Sequence, residues 1–152
     1  MSQVTIDNNT GSQVTFSYDV SKIFLFQNTY RKINIDNGTG SDVTLQPGTL
    51  IGTISATGKG KVLASGSTDG SQLPTGIVAQ PTIVPANSNV DVYICIGGRV
   101  AQEKLIFNGS DTLNTSIADT AGATRILQDR IASDTMGIEL ISASELSGFD
   151  NV

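Results

Sequence analysis

P-G-T-L-I-G-T-I-S-A-T-G-K-G-K-V-L-A-S-G-S-T-D-G-S-Q-L-P-T-G-I-V-A, running from Pro47 to Ala79, is the stretch that decides the fold class. It holds three short apolar runs, Leu50 to Ile54, Val62 to Ala64 and Ile77 to Ala79. Clusters of Gly, Ser, Thr and Asp separate them, and such clusters mark chain reversals. The spacing predicts three short strands in a tight β-meander. Asp69-Gly70 supplies a residue type that tolerates positive φ, so the chain can turn there with little strain.

The composition agrees with this reading. The chain of 152 residues has the length of one domain and can bury a core without a metal or disulfide staple. Its 16 glycines, together with many Ser, Thr, Asn and Asp residues, argue for short strands joined by turns. The expected fold is mainly β, a small barrel-like or sandwich-like domain with one short helix near the C-terminus.

Upstream, Ile6-Asp7-Asn8-Asn9-Thr10-Gly11-Ser12-Gln13-Val14-Thr15 returns as Ile35-Asp36-Asn37-Gly38-Thr39-Gly40-Ser41-Asp42-Val43-Thr44. Each copy reads as a hairpin around an Asn/Gly loop. Alternating apolar positions flank the loops, Val4 and Ile6 facing Val14 and Phe16, then Ile33 and Ile35 facing Val43 and Leu45. Two copies are too few for a solenoid. Between them Ile23-Phe24-Leu25-Phe26, the most apolar run, reads as a strand buried on both faces, with a partner-binding patch as the less favoured reading.

Downstream, Thr82 to Val84 stops at Pro85, and Val90 to Ile96 alternates Val90, Val92, Ile94 and Ile96 with Asp91, Tyr93 and Cys95, the clearest strand signal in the chain. Gly97-Gly98 is expected to break that strand. Leu105-Ile106-Phe107 leads into an Asn108-Gly109 turn. Ala123, Ile126, Leu127 and Ile131 then form one stripe of a helix predicted over Thr120 to Ala132, capped by Asp119 or Thr120 and left through Gly137. Ile138 to Ile141 reads as a closing strand.

Several chemistries are disfavoured by what the chain contains. With no histidine, a Ser-His-Asp triad, a Cys-His pair and a histidine-based zinc site are excluded. Cys95 sits in an apolar run and reads as a buried thiol. Gly52 to Lys59 has the wrong spacing for a phosphate loop and lacks the following Ser or Thr. The Asn37 to Asp42 loop is similar to calcium-binding repeats but offers too few carboxylates. No carboxylate pair stands out among the 14 acidic residues. No catalytic residue, metal or cofactor is therefore expected. A net charge of −5 without a basic block speaks against direct nucleic-acid binding. The absence of a long apolar run speaks against a membrane span, and the N-terminus lacks the pattern of a signal peptide, so a soluble protein not exported by one is expected.

Lys61-Val62-Leu63-Ala64-Ser65-Gly66-Ser67-Thr68-Asp69-Gly70, followed by Gly76-Ile77-Val78-Ala79, resembles the lambda-type phage head decoration proteins, in which a similar run opens the β-rich core. The order of later elements, through Gly97-Gly98-Arg99-Val100 and the helix to Ile138 to Ile141, is also similar. The resemblance implies a homotrimer seated on the outer surface of the virion capsid, at three-fold and quasi-three-fold sites of the expanded head, and partnered by the major capsid protein. It also implies an N-terminal arm that grips the shell. Here residues 1–45 are longer and more strand-like than a short arm, and residues 46–152 carry the family-like core. Val4, Ile6, Val14 and Phe16 are the expected shell-facing residues, because their hairpin pattern sits at the terminus ahead of that core. The alternative is a β-rich adhesion module of a phage fibre or baseplate that binds a host glycan. With no tryptophan, five phenylalanines and three tyrosines, the supply of sugar-stacking rings is thin.

Overall fold

The computed structural model describes residues 23–142 in full and, for residues 2–8 and 12–18, the backbone pairing of two strands. Those two, β1 (Ser2–Asn8) and β2 (Ser12–Tyr18), form an antiparallel hairpin. There follow β3 (Phe24–Asn37), β4 (Val43–Leu45), β5 (Leu50–Thr53), β6 (Gly60–Val62), β7 (Pro74–Val78), β8 (Thr82–Val84) and β9 (Ser88–Ala101). The C-terminal part adds β10 (Ser116–Ala118), β11 (Thr124–Ile126), helix α1 (Leu127–Asp134) and β12 (Ile138–Ile141).

The main sheet runs β12-β9-β3-β6-β5-β7, and a further pairing of β7 with β9 closes its last five strands into a barrel. The alternation in β9 accounts for this closure. Val92, Ile94 and Ile96 point inward, where they meet Ile33, Ile35, Leu45, Ile51, Val78 and Val84 in a core that excludes water. Full burial of each such side chain stabilises the fold by about 1.5–3 kcal/mol.

The other face of β7 and β9 is covered as well. Ile77 and Cys95, which pair across these strands, lie beneath Leu105, Ile117, Leu127, Ile131 and Ile138 in a second core. Cys95 is thus the buried thiol expected from its apolar run, and burial pushes its pKa up.

The Pro47 to Ala79 stretch forms three strands, but their order is not that of a meander. β5 lies between β6 and β7 and pairs antiparallel with both. Its residues Leu50 and Ile51 are buried on opposite faces, one in each core, and its backbone is paired on both edges, so β5 is an interior strand. Gly70 takes φ +100°, as its turn requires.

The second copy of the internal echo is not a hairpin. Ile33 and Ile35 pair with Val92 and Val90 of β9, whereas Val43 and Leu45 pair with Val84 and Thr82 of β8. Asn37 sends the two strands apart. Its side-chain amide donates to the carbonyls of Ser41, Val84 and Pro85, and its Oδ1 accepts from the Thr39 backbone and hydroxyl, so the loop is tied to β8 rather than folded onto β3.

The helix is shorter and later than the period implies, because Thr124–Ile126 is used as a strand against β10. Asp119 caps the β10–β11 turn instead, accepting from the N–H groups of Ala121 and Ala123. Its second oxygen lies 3.4 Å from Nη2 of Arg130, a residue only 6% exposed, and Nη2 also donates to the Ala123 carbonyl. Asp134 flanks the other guanidinium nitrogen at 3.7 Å. The buried cation is thus held between two carboxylates and locks the turn onto α1.

Candidate functional site

The register of the N-terminal hairpin brings the candidate contact positions together, pairing Val4 with Phe16 and Ile6 with Val14. The side chains of these four residues lie outside the described residues. The loop between the strands and the residues beyond Ser142 do too.

Among the fully described residues, chemistry concentrates where β3 and β9 run past the barrel. Both strands are 14 residues long, yet β3 meets β6 only at Ile35 and Gly60. Among the described residues, β3 from Phe24 to Lys32 is paired along one edge only, to β9, and β12 flanks β9 on its far side. The Ile23-Phe24-Leu25-Phe26 run is therefore not buried on both faces. Phe24 is half-buried and packs against the edge of the second core, whereas Phe26, paired with Arg99, is 44% exposed.

Register shifts interrupt β3 between Phe24 and Tyr30, and Gln27 takes φ +50° there. Across from them β9 continues through Gly97-Gly98 instead of breaking. Gly98 has φ +96°, and a Cβ on it would sit 2.7 Å from Asn28 Cα and from the Gln27 carbonyl oxygen. Only glycine fits so close an approach of the two backbones. Asn28 fastens it, its side-chain amide donating to the carbonyls of Arg99 at 3.0 Å and Gly97 at 3.4 Å.

The result is an open trough of about 350 Å³, floored by Gly97-Gly98 and flanked by Phe26, Met136, Arg99 and Glu139. Arg99 Nε donates to Glu139 at 3.0 Å. Along the same strands Tyr30 packs edge-on against Phe24, with ring centroids 5.8 Å apart, and Lys32 Nζ lies 5.5 Å from the centre of the Tyr93 ring. Burial, and then the nearby Cys95, push the Tyr30 phenol above its ordinary pKa, so the ring presents a neutral hydroxyl.

These groups suit non-covalent recognition: aromatic faces, a thioether, a paired guanidinium and an ammonium beside an aromatic ring. Among the described residues no three acidic, Cys or His side chains converge as metal ligands. The sequence gives signals for part of this surface, in the Phe24–Phe26 run and in Tyr93 on the polar face of an alternating strand. Met136 and Tyr30 lie in no pattern that marks them.

A family model, bacteriophage lambda head decoration protein D, matches residues 24–126, about two thirds of the chain, beginning where β3 begins. No curated protein matches the chain. The chain belongs to the lambda head decoration protein family, a family of structural proteins of the phage head.

Proposed function

We propose that this member of the head decoration family is a cement protein that binds the outside of the expanded phage head as a homotrimer, at three-fold and quasi-three-fold sites, and holds it against the pressure of packaged DNA. Family membership carries this reading. Physical reasoning gives it a mechanism. A protein that binds the expanded shell better than its immature form stabilises the expanded state by mass action, in proportion to that difference in affinity. Three copies around one axis multiply weak contacts through effective concentration. The net charge of −5 suits a position away from DNA.

Within residues 1–45, the part that meets the major capsid protein is in this reading the β1–β2 hairpin, through Val4, Ile6, Val14 and Phe16. A two-stranded hairpin alone is marginal in water, and adding a strand from a capsid subunit would extend its sheet. Deleting residues 1–20 is expected to abolish cosedimentation with expanded shells while leaving the solution mass at three subunits. A truncated protein that still decorates shells at full occupancy would remove the hairpin from the mechanism, and a single-subunit mass for the intact protein would remove the trimer.

A further inference from the structure

We propose that Asn108 is a site of spontaneous covalent modification, where the chain converts its own asparagine to aspartate and isoaspartate, while the fold protects the other Asn-Gly pair, at Asn37. The reaction needs no partner and is independent of head binding.

The chemistry requires an asparagine followed by an unhindered backbone nitrogen. The Gly109 nitrogen attacks Asn108 Cγ: a C–N bond forms, the Cγ–Nδ2 bond breaks, and ammonia leaves with the amide proton, closing a five-membered imide. Water then opens the ring. Cleavage at the former side-chain carbonyl gives aspartate, and cleavage at the α-carbonyl gives isoaspartate, whose backbone is longer by one carbon. Two asparagines in the chain precede glycine, Asn37 and Asn108. Every other asparagine precedes a residue whose Cβ hinders the attack.

Tertiary structure treats the two pairs in opposite ways. Asn37 is 4% exposed, and five hydrogen bonds hold its amide, three given to the carbonyls of Ser41, Val84 and Pro85 and two received from Thr39. Its Cγ cannot swing onto the Gly38 nitrogen until these break. Asn108, by contrast, is exposed, as are Gly109 and Ser110. Among the described residues no hydrogen bond holds its side chain, and the Gly109 N–H donates to no backbone carbonyl. Gly109 takes φ +59°, and nothing lies within 4 Å of where its Cβ would stand, so the nucleophile is uncrowded.

Position gives the reaction a consequence. Asn108 opens a turn in which its carbonyl accepts from the Asp111 N–H at 3.1 Å. Asp111 accepts from the Ser65 N–H at 3.0 Å and from the Ser65 hydroxyl at 2.6 Å, which fastens the connection over residues 105–115 to the loop after β6. Isoaspartate turns the Asn108 carbonyl into a free carboxylate and lengthens the turn beside this clamp. Aspartate adds only a charge.

The test is incubation of the full-length protein in mildly alkaline buffer, folded and in denaturant, followed by peptide mass mapping and an isoaspartate assay. In the folded protein the Asn108 peptide is expected to gain one mass unit about ten-fold or more faster than the Asn37 peptide, because opening the Asn37 loop costs its hydrogen bonds. In denaturant the two rates should converge. Asn108→Gln, whose longer side chain disfavours the five-membered ring, should remove the gain. Protein bearing isoaspartate should melt about 2–4 °C below freshly made Asn108→Asp, as the Asp111 clamp loosens. Equal rates at Asn37 and Asn108 in the folded protein overturn the proposal, as does an Asn108 peptide that reacts in denaturant but not when folded. A folded-state gain in that peptide that survives Asn108→Gln overturns it too. Equal midpoints for the isoaspartate form and Asn108→Asp overturn the link to the clamp.

Discussion

The two halves of β3 differ although they are one strand against one partner. From Ile33 to Asn37 the strand is barrel wall, with Ile33, Ile35 and Asn37 buried and regular pairing to β9. From Phe24 to Lys32 it has bulges, a left-handed Gln27 and exposed aromatic rings. What separates them is coverage. Ile33 and Ile35 have the barrel core beneath them and Ile35 has β6 beside it, whereas from Phe24 to Lys32 only Phe24 is packed against a core, the second one. The lesson is that one half is built into the barrel core and the other is held mainly by its pairing with β9, and substitutions should divide accordingly.

The largest expected effect tests whether the projecting half is structurally dispensable. Gly98→Val is expected to destabilise by about 4 kcal/mol, from a forced positive φ and from collision with the β3 backbone. A denaturant titration that shows less than about 1 kcal/mol would mean that the two strands do not press together there.

Ile35→Ala, in the barrel half, should cost about 3 kcal/mol through the cavity it leaves over Gly60, with shell binding unchanged once the protein is folded. Loss of binding by a folded Ile35→Ala protein would erase the division of labour.

Acid should act on the barrel side. Hydrogen bonds from the Ser71 hydroxyl and backbone N–H, and from Lys61, hold the Asp69 carboxyl down at about 2. A depressed folded-state pKa means that this stabilisation is complete above the unfolded value near 3.8 and disappears as pH falls toward about 2. The exposed setting of the pair keeps the effect small. Thermal midpoints measured between these pH values should fall more steeply for the wild type than for Asp69→Asn; parallel slopes would show that the carboxylate does not act through this turn.

The smallest effect is Phe26→Ala, which should change stability by less than about 1 kcal/mol because nearly half of the ring is already in water. A larger loss would make Phe26 part of the core and move the boundary between the two halves toward the N-terminus.

Much of this division was legible residue by residue. The alternation from Val90 to Ile96 marked which side chains face the barrel interior, and the register of β1 with β2 is the one that the first echo implies. The family-like run and the order of later elements pointed to the decoration fold. The second echo misled, since the same Asn-Gly-Thr-Gly chemistry that permits a hairpin also permits a loop fastened to another strand, and Asn37 takes the latter course. The helical stripe misled at its start, where residues 124–126 find a better partner in β10 than in a further turn of helix.

By itself the sequence determined which residues avoid water, where the chain can reverse, and that histidine-based chemistry is absent, for these are properties of side chains and of near neighbours. Only the tertiary structure decided that β5 sits between β6 and β7, that β9 runs unbroken past its two glycines, and that Phe26, Tyr30, Tyr93 and Met136 each remain exposed. A local pattern states that a strand needs neighbours but not which ones. That choice belongs to the closed barrel as a whole, and so do the places where its cover ends.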